Sequence, residues 1–325
     1  MSSIFLTGAS GFIGQALATR LASAGHHLRL AARSPLPYQI PPGADTFYFT
    51  DLDTHTDWSE GLADIDVVIH CAARVHVMKE TAADPLSAFL RSNVEATTRL
   101  ARHAARAHVK RFIYLSTVKV FGEQSPPDRP FTVDTPPAPT DPYAISKLEA
   151  ERALFALTAS CNMQFVIIRP PLVYGPGVGA NFLRLMYWLD RGLPLPLSAV
   201  DNRRSLVALD NLVDLITRAV HYPGAANQIL LASDGEDLST PQLLVRLGRA
   251  MGREPRLLPV PGWLLRASAG LMGRYAEAQR LCHSLQVDIG HTCRLLNWSP
   301  PVSVDAALAK TVEHYLRTPA QDVRG

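Results

Sequence analysis

The chain has 325 residues, 47% of them hydrophobic and 19% charged, with a formal net charge of +3. It is long enough to bury one large core or two joined ones, and too apolar for a disordered chain. So small a positive charge gives no argument for binding nucleic acid or an anionic membrane, and no apolar run reaches bilayer-spanning length.

Ser3-Ile4-Phe5-Leu6 predicts a short buried strand, and residues 15–24 predict a helix with Leu17, Leu21 and Ala22 on one face. Between them lies Thr7-Gly8-Ala9-Ser10-Gly11-Phe12-Ile13-Gly14. Three glycines at a strand-to-helix junction allow a tight turn, close approach to a pyrophosphate and tight packing of the helix on the sheet. The helix N-terminus then turns its N–H groups and positive dipole end toward the phosphates. Gly8, Gly11, Phe12, Ile13 and Gly14 are therefore candidate dinucleotide contacts.

A strand over 27–32 follows, then a turn at 34–37. At this point, about 20 residues past the glycines, a site for NAD usually carries an acid that binds the ribose 2′-OH. The chain reads Leu30-Ala31-Ala32-Arg33-Ser34 instead. Arg33 can stack on adenine and pair with a 2′-phosphate, which favours NADP over NAD; the plain alternative is a surface arginine after a strand. Short apolar strands are expected over 46–50 and 67–70. Asp51-Leu52 closes the first of these, where Asp51 can accept from the adenine amino group. His70-Cys71-Ala72-Ala73 ends the second, and small Ala72 and Ala73 let the backbone pass along a dinucleotide; His70 itself reads as a packed core residue.

A long helix is expected over 86–107, a strand over 111–115, an exposed loop over 125–142, a helix over 142–158 and a strand over 165–168. This βαβα rhythm predicts an α/β protein, a Rossmann-like doubly wound parallel sheet with helices on both faces. Beyond Arg169 the alternation loosens. Residues 170–202, rich in Pro and Gly, read as cleft-lining loops around one helix at 181–191. A helix at 210–221 and a strand at 229–232 come next, then a helix opened by Thr240-Pro241 with Thr240 as its cap. The remainder, to Leu316, is mostly helical, and 263–272 reads as an amphipathic packing helix interrupted by Arg266. The expected division is a dinucleotide-binding domain of residues 1–172 with about 206–232, and a smaller substrate-binding region of about 173–205 with 233–325. Cys71, Cys161, Cys282 and Cys293 lack metal-type spacing, and the histidines include no His-Glu-x-x-His. With no export signal ahead of the first strand, reduced thiols, no metal and a cytoplasmic location are expected.

Tyr143-Ala144-Ile145-Ser146-Lys147 falls on a predicted helix, so the i, i+4 spacing puts phenol and ammonium on one face. A free tyrosine titrates near ~10, too high for efficient acid–base work at neutral pH. A neighbouring lysine lowers that value by stabilising the phenolate, and its ammonium can also hold a ribose hydroxyl. Tyr114-Leu115-Ser116-Thr117 ends a strand at the same sheet edge and supplies a hydroxyl donor.

With these residues in view, the chain resembles the extended short-chain dehydrogenase/reductase family, in its nucleotide-sugar epimerase/dehydratase branch, over almost its whole length. The resemblance rests on Thr7-Gly8-x-x-Gly11-Phe12-Ile13-Gly14, Asn93-Val94, Ser116-Thr117 with Val120-Phe121-Gly122, and Tyr143-x-x-x-Lys147. Arg169-Pro170-Pro171-Leu172-Val173-Tyr174-Gly175-Pro176-Gly177 and Arg204-Ser205-Leu206-Val207 complete it. It implies Tyr143 as the acid–base, Lys147 as its ribose-binding partner, and Thr117 as the hydroxyl that bonds the sugar 4-oxygen. It further implies Asn93, Pro170 and Val173 at the cofactor, and Asn181, Arg204 and Arg280 at the diphosphate of a UDP-sugar. A homodimer through the helices at 86–107 and 142–158 is the family's habit.

Three departures from the family pattern matter. Phe121 replaces a tyrosine, the acid after the second strand is missing, and Thr117 is followed by Val118-Lys119 where 4,6-dehydratases carry Asp-Glu. The last disfavours dehydration, which needs an acid and a base at adjacent carbons. Two reactions survive: a 4-ketoreductase acting on a UDP-4-keto-6-deoxy-N-acetylhexosamine for surface-polysaccharide synthesis, favoured by Arg33, and a UDP-glucose or UDP-GlcNAc 4-epimerase. A non-catalytic dinucleotide sensor is the remote third.

Overall fold

In a computed structural model, residues 1–52, 55–75, 84–126, 128–262, 264–265 and 281–318 are described. Strand β1 (Ser3–Thr7) feeds helix α1 (Phe12–Ser23), followed by β2 (His27–Ala32), β3 (Asp45–Tyr48) and β4 (Val67–His70). After α2 (Pro85–Leu90), a π-type turn (Arg91–Glu95) and α3 (Ala96–Arg106) come β5 (Arg111–Leu115), a 3₁₀ turn (Val118–Phe121), α4 (Pro142–Leu157) and β6 (Gln164–Arg169). With β9 (Gln228–Leu231) these strands form one seven-stranded parallel sheet in the order β3-β2-β1-β4-β5-β6-β9. The chain runs outward from β1 through β2 to β3, then crosses back to β4. The strand order therefore reverses beside β1, and a crevice opens at the strand C-termini, the place where doubly wound folds bind ligands.

Period-2 alternation explains why both faces need covering. Ile4, Leu6, Leu28, Leu30, Val67, Ile69, Ile113, Val166 and Ile168 face one way and pack with α1 and with α6 (Leu209–His221). Phe5, Ala31, Val68, Phe112, Tyr114, Phe165 and Ile167 face the other way and pack with α3 and α4. All five residues of β5 are buried, as a central parallel strand requires.

A second, three-stranded sheet was not expected. It is formed by β7 (Leu172–Tyr174), β8 (Arg204–Ala208) and β10 (Asp237–Leu238), with β8 central, parallel to β7 and antiparallel to β10. β7 and β10 are three and two residues long, too short to show a period, and β7 lies in the Pro- and Gly-rich stretch. Helices α5 (Ala180–Asp190), α7 (Thr240–Ala250) and α9 (Val304–Arg317) share an apolar cluster with this sheet, built on Tyr174, Phe182, Leu206, Leu244 and Leu308. The intervening α8 (Gly290–Leu296) packs by β9 instead.

Several boundaries move. Helix α1 begins at Phe12 rather than at 15, so Phe12, Ile13 and Gly14 form its first turn. The third strand stops at Tyr48, leaving Asp51 and Leu52 in the loop beyond it. The helix expected over 86–107 is broken by the π-type turn that buries Asn93. Ser239, not Thr240, caps α7 in a capping box with Gln242. Thr240 instead donates its hydroxyl to the Leu281 carbonyl and accepts from Asn202. The loop over 125–142 is only partly exposed, because Ser125 and Phe131 are buried and Phe131 bridges to Val287. The helix expected over 263–272 lies largely outside the described residues.

Candidate active site

β1 ends at Thr7 and the chain turns at Gly8, whose φ of +75° lies in the left-handed region that favours glycine. The Gly11 N–H donates to the Gly8 carbonyl at 2.9 Å, closing the loop beneath the first turn of α1. The packing is backbone on backbone. A Cβ at Gly8 would stand 2.7 Å from the Ala72 nitrogen, and one at Gly14 would stand 2.0 Å from the Gly8 oxygen. Tyr38 donates its hydroxyl to the Ala9 carbonyl at 3.0 Å and steadies the loop from the far side. A cleft of about 790 Å³ runs from this loop across the sheet edge. Gly8, Gly11, Phe12, Ile13 and Gly14 form one end of it; Arg33, Asp51 and Leu52 form its rim, and Ala72 and Ala73 its floor. Tyr143, Lys147, Pro170 and Val173 line the opposite end. A side-chain-free glycine cradle at one end and a tyrosine–lysine pair at the other fit a nicotinamide dinucleotide laid along the cleft.

Arg33 and Asp51 meet at the rim, 3.9 Å apart and both about two-thirds exposed (68% and 66%). Asn93 does not line the cleft. Its Oδ1 accepts from the Arg74 N–H at 2.7 Å, and its Nδ2 donates to the Arg74 carbonyl and to Ser146 Oγ, each at 3.0 Å. Its amide is spent inside the protein, holding the Arg74 backbone, and makes no contact with the cleft. His70 is a core residue, as expected. Its ring nitrogens bond Thr7 at 2.6 Å and Thr97 at 2.9 Å, and burial, helped by Lys147, pushes its pKa down to about 3.

Asp141 caps α4 and Pro142 opens its first turn, which sets Tyr143 and Lys147 one above the other at the cleft wall. Lys147 is fully buried; its Nζ donates to the Leu115 carbonyl at 2.8 Å and lies 4.5 Å from the Tyr114 ring centroid. Burial lowers its pKa from 10.5 to about 8, with Cys71 and Glu151 acting in the opposite direction. The phenol of Tyr143 does not show the depression expected from its lysine. Burial raises it above the usual tyrosine value and the Asp141 carboxylate adds to the effect, while the Lys147 ammonium stays 6.0 Å from the ring centroid.

A second cavity, of about 480 Å³, adjoins the cleft and contains Asn181 and Arg204 in its lining. Arg204 donates from Nη1 to the His283 carbonyl at 3.0 Å. Arg280 lies outside the described residues. The two cavities share Val75, Thr117, Tyr143 and Pro171, so a hydroxyl and a phenol stand where they meet.

A family model described as NAD dependent epimerase/dehydratase family matches residues 4–230. The chain belongs to this family. A UDP-glucose 4-epimerase of Vibrio cholerae is 40% identical over 317 residues, covering 97% of this chain and 96% of that one. A UDP-glucose 4-epimerase of Mycolicibacterium smegmatis is 28% identical and covers 95% of this chain and 97% of its own. Among solved structures, the UDP-glucuronic acid 4-epimerase of Bacillus cereus in complex with NAD superposes with a TM-score of 0.77 at 22% identity, covering 97% and 98% of the two chains. That last likeness is one of fold.

Beneath the site of this epimerase/dehydratase-family protein lies a network that sequence reading missed. Glu151, one helical turn past Lys147, accepts from the Ser116 hydroxyl and from both Nε and Nη2 of Arg169, the Nε bond being 3.0 Å long. All three residues are buried. They tie the end of β5, which carries Thr117, to α4 and to the end of β6, which leads into Pro170. Phe121 packs under the Arg169 guanidinium at 4.7 Å and against Phe131, which accounts for an apolar ring at this position. The i, i+4 step from Lys147 to Glu151 was the visible hint; its partners are remote in sequence. Among the described residues no cluster of His, Cys, Asp or Glu could hold a metal ion, and no helix is long and apolar enough to cross a membrane.

Lys147 has a stability consequence. Between about 8 and 10.5 the unfolded chain binds the proton that the folded chain has released, so stability at this residue rises with pH across that window. Lys147→Met removes a buried charge whose neighbour Glu151 is already paired with Arg169. The variant is expected to be more stable than wild type at neutral pH by about 1–2 kcal/mol. The gap should narrow toward pH ~10. Urea midpoints across that range measure it, and a gap independent of pH removes Lys147 as its source.

Proposed function

We propose that the protein is a nucleotide-sugar 4-ketoreductase acting on a UDP-4-keto-6-deoxy-N-acetylhexosamine. The observation that carries this reading is the pair Thr117 and Tyr143 on the wall shared by the dinucleotide cleft and the second cavity. A bound nicotinamide cofactor supplies the hydride for C4. Tyr143 delivers the proton to the 4-oxygen, Thr117 donates a hydrogen bond to that oxygen, and Lys147 holds the ribose hydroxyls. Asn181 and Arg204 take the diphosphate. Around Thr117 and Tyr143 the lining combines apolar Val75, Val118, Pro171 and Leu172, which suit a sugar carbon without a hydroxyl, with the charged Lys119 and Glu123. Residues 1–172 with about 206–232 form the cofactor-binding part in this reading, and the remainder holds the sugar nucleotide. A homodimer through α2–α3 and α4 completes it.

The second reading, 4-epimerisation, is favoured by the relative at 40% identity that bears the name UDP-glucose 4-epimerase. An epimerase needs no net reductant, whereas a reductase consumes one equivalent per turnover. Purified enzyme is therefore given the UDP-4-keto-6-deoxy sugar with NADPH or NADH, and separately UDP-glucose or UDP-GlcNAc without reductant. Turnover is expected in the first mixture. Conversion in the second mixture alone replaces the reductase with the epimerase.

NADP is the cofactor this reading prefers, because Arg33 stands at the cleft rim in the position where NAD sites usually carry an acid. Its 3.9 Å contact to Asp51 is a weak surface pair that a 2′-phosphate can outcompete. Arg33→Ala is expected to raise the KM for NADPH about tenfold and leave that for NADH within about twofold. Equal effects on both remove the assignment.

A further inference from the structure

A charged bridge joins the turn after β5 to the cap of α4. Thr117 opens that turn, and its Oγ1 accepts from the backbone N–H of Lys119 at 3.3 Å. With a lone pair engaged there, the hydroxyl hydrogen is left to donate outward. The Lys119 side chain crosses to Asp141, with Nζ 2.8 Å from Oδ2. Asp141 Oδ1 accepts from the Ala144 N–H at 2.7 Å and so caps α4 directly ahead of Tyr143. Glu123 Oε1 lies 3.8 Å from the same ammonium. Lys119 and Glu123 line the second cavity together with Thr117 and Tyr143.

After burial itself, Asp141 is what opposes ionisation of the Tyr143 phenol. Other groups face the phenol from each packed element. Lys147 lies on its own helix, and Tyr114 couples to it from the end of β5. Arg74 sits over Phe89, whose ring meets Tyr143 edge-on. α2 and the π-type turn bring Phe89 and Asn93 and, among the described residues, no buried charge. Glu151 is held by Arg169. Lys119 places a cation 2.8 Å from Asp141 Oδ2.

We propose that Lys119 is a positioning residue for the chemistry at Tyr143: its ammonium fixes the Thr117 turn to the cap of α4 and offsets the Asp141 carboxylate beside the phenol. This deepens the reading of Tyr143 as the acid–base group and rests on it. Taking a cation away from an anion strengthens the negative field at a neighbouring phenol, so without Lys119 the phenol becomes harder to ionise.

The test is a nuclear magnetic resonance titration of the full-length chain, isotope-labelled at the tyrosine Cζ, with the Tyr143 signal identified by its loss in Tyr143→Phe. Lys119→Met is expected to move the onset of Tyr143 ionisation up by about one pH unit, or about tenfold less phenolate at a given pH. Lys119→Gln serves in its place if the Met variant does not fold. Lys119→Arg keeps the wild-type onset. Adding Asp141→Asn to Lys119→Met restores the onset, because asparagine still caps a helix but carries no charge. A bridge that mattered only for structure would not be rescued by losing its second half. An unchanged onset in Lys119→Met, or a double variant that stays delayed, overturns the proposal. No sugar enters the titration, so inactivity toward UDP-sugars beside a delayed onset would sink the sugar assignment and leave this bridge standing.

Discussion

Tyr143→Phe is expected to lower kcat by about 10²–10⁴-fold, the usual worth of a positioned general acid–base group, or about 3–5 kcal/mol of barrier. The substitution removes one oxygen from a residue that lines both cavities and leaves the ring that packs edge-on against Phe89. Cofactor affinity and the unfolding midpoint should therefore stay within about twofold and about 0.5 kcal/mol of wild type. Single-turnover kinetics with the assigned substrate, alongside a fluorescence titration of the reduced cofactor, separate the two quantities. Retention of more than about a tenth of kcat would remove Tyr143 from the proton-transfer role.

The second large effect belongs to the glycine loop. In a helix interior, alanine ordinarily gains about 1 kcal/mol over glycine. At Gly14 the sign reverses, because the added methyl would stand 2.0 Å from the Gly8 oxygen and 2.9 Å from the Ala9 Cα, both backbone atoms that cannot rotate away. Gly14→Ala is expected to destabilise the fold by about 3 kcal/mol, at the upper end for overpacking. It should also weaken cofactor binding at least about tenfold, since α1 must lift from the loop proposed to take the pyrophosphate. Chemical denaturation and cofactor titration measure the two losses. A Gly14→Ala chain with wild-type stability would mean that α1 can shift at no cost.

How much of this site was legible depended on how local its causes were. The glycine loop announces itself because a tight turn and a backbone contact need glycine at fixed short offsets, and Gly8 and Gly14 meet the demand directly. Tyr143 and Lys147 were legible because a helix places i and i+4 on one face whatever surrounds it. The large sheet was readable from strand runs buried on both sides. The small sheet was not, since β7 and β10 are only three and two residues long and the five-residue β8 pairs only with those two short segments from other parts of the chain. Asn93 matched a family pattern, yet its amide turned out to serve the Arg74 backbone rather than line the cleft.

The order of short patterns along the chain was enough to set the fold class, the tight glycine loop and the tyrosine–lysine pair, because periodicity, turn geometry and helical spacing act over a few residues. The folded chain alone brought Glu151 to Arg169 and Lys119 to Asp141, and set Thr117 beside Tyr143 where two cavities meet. It also showed the Tyr143 phenol raised rather than lowered. Burial and charge are sums over every neighbour in space, and those neighbours come from strands and helices that only packing brings together.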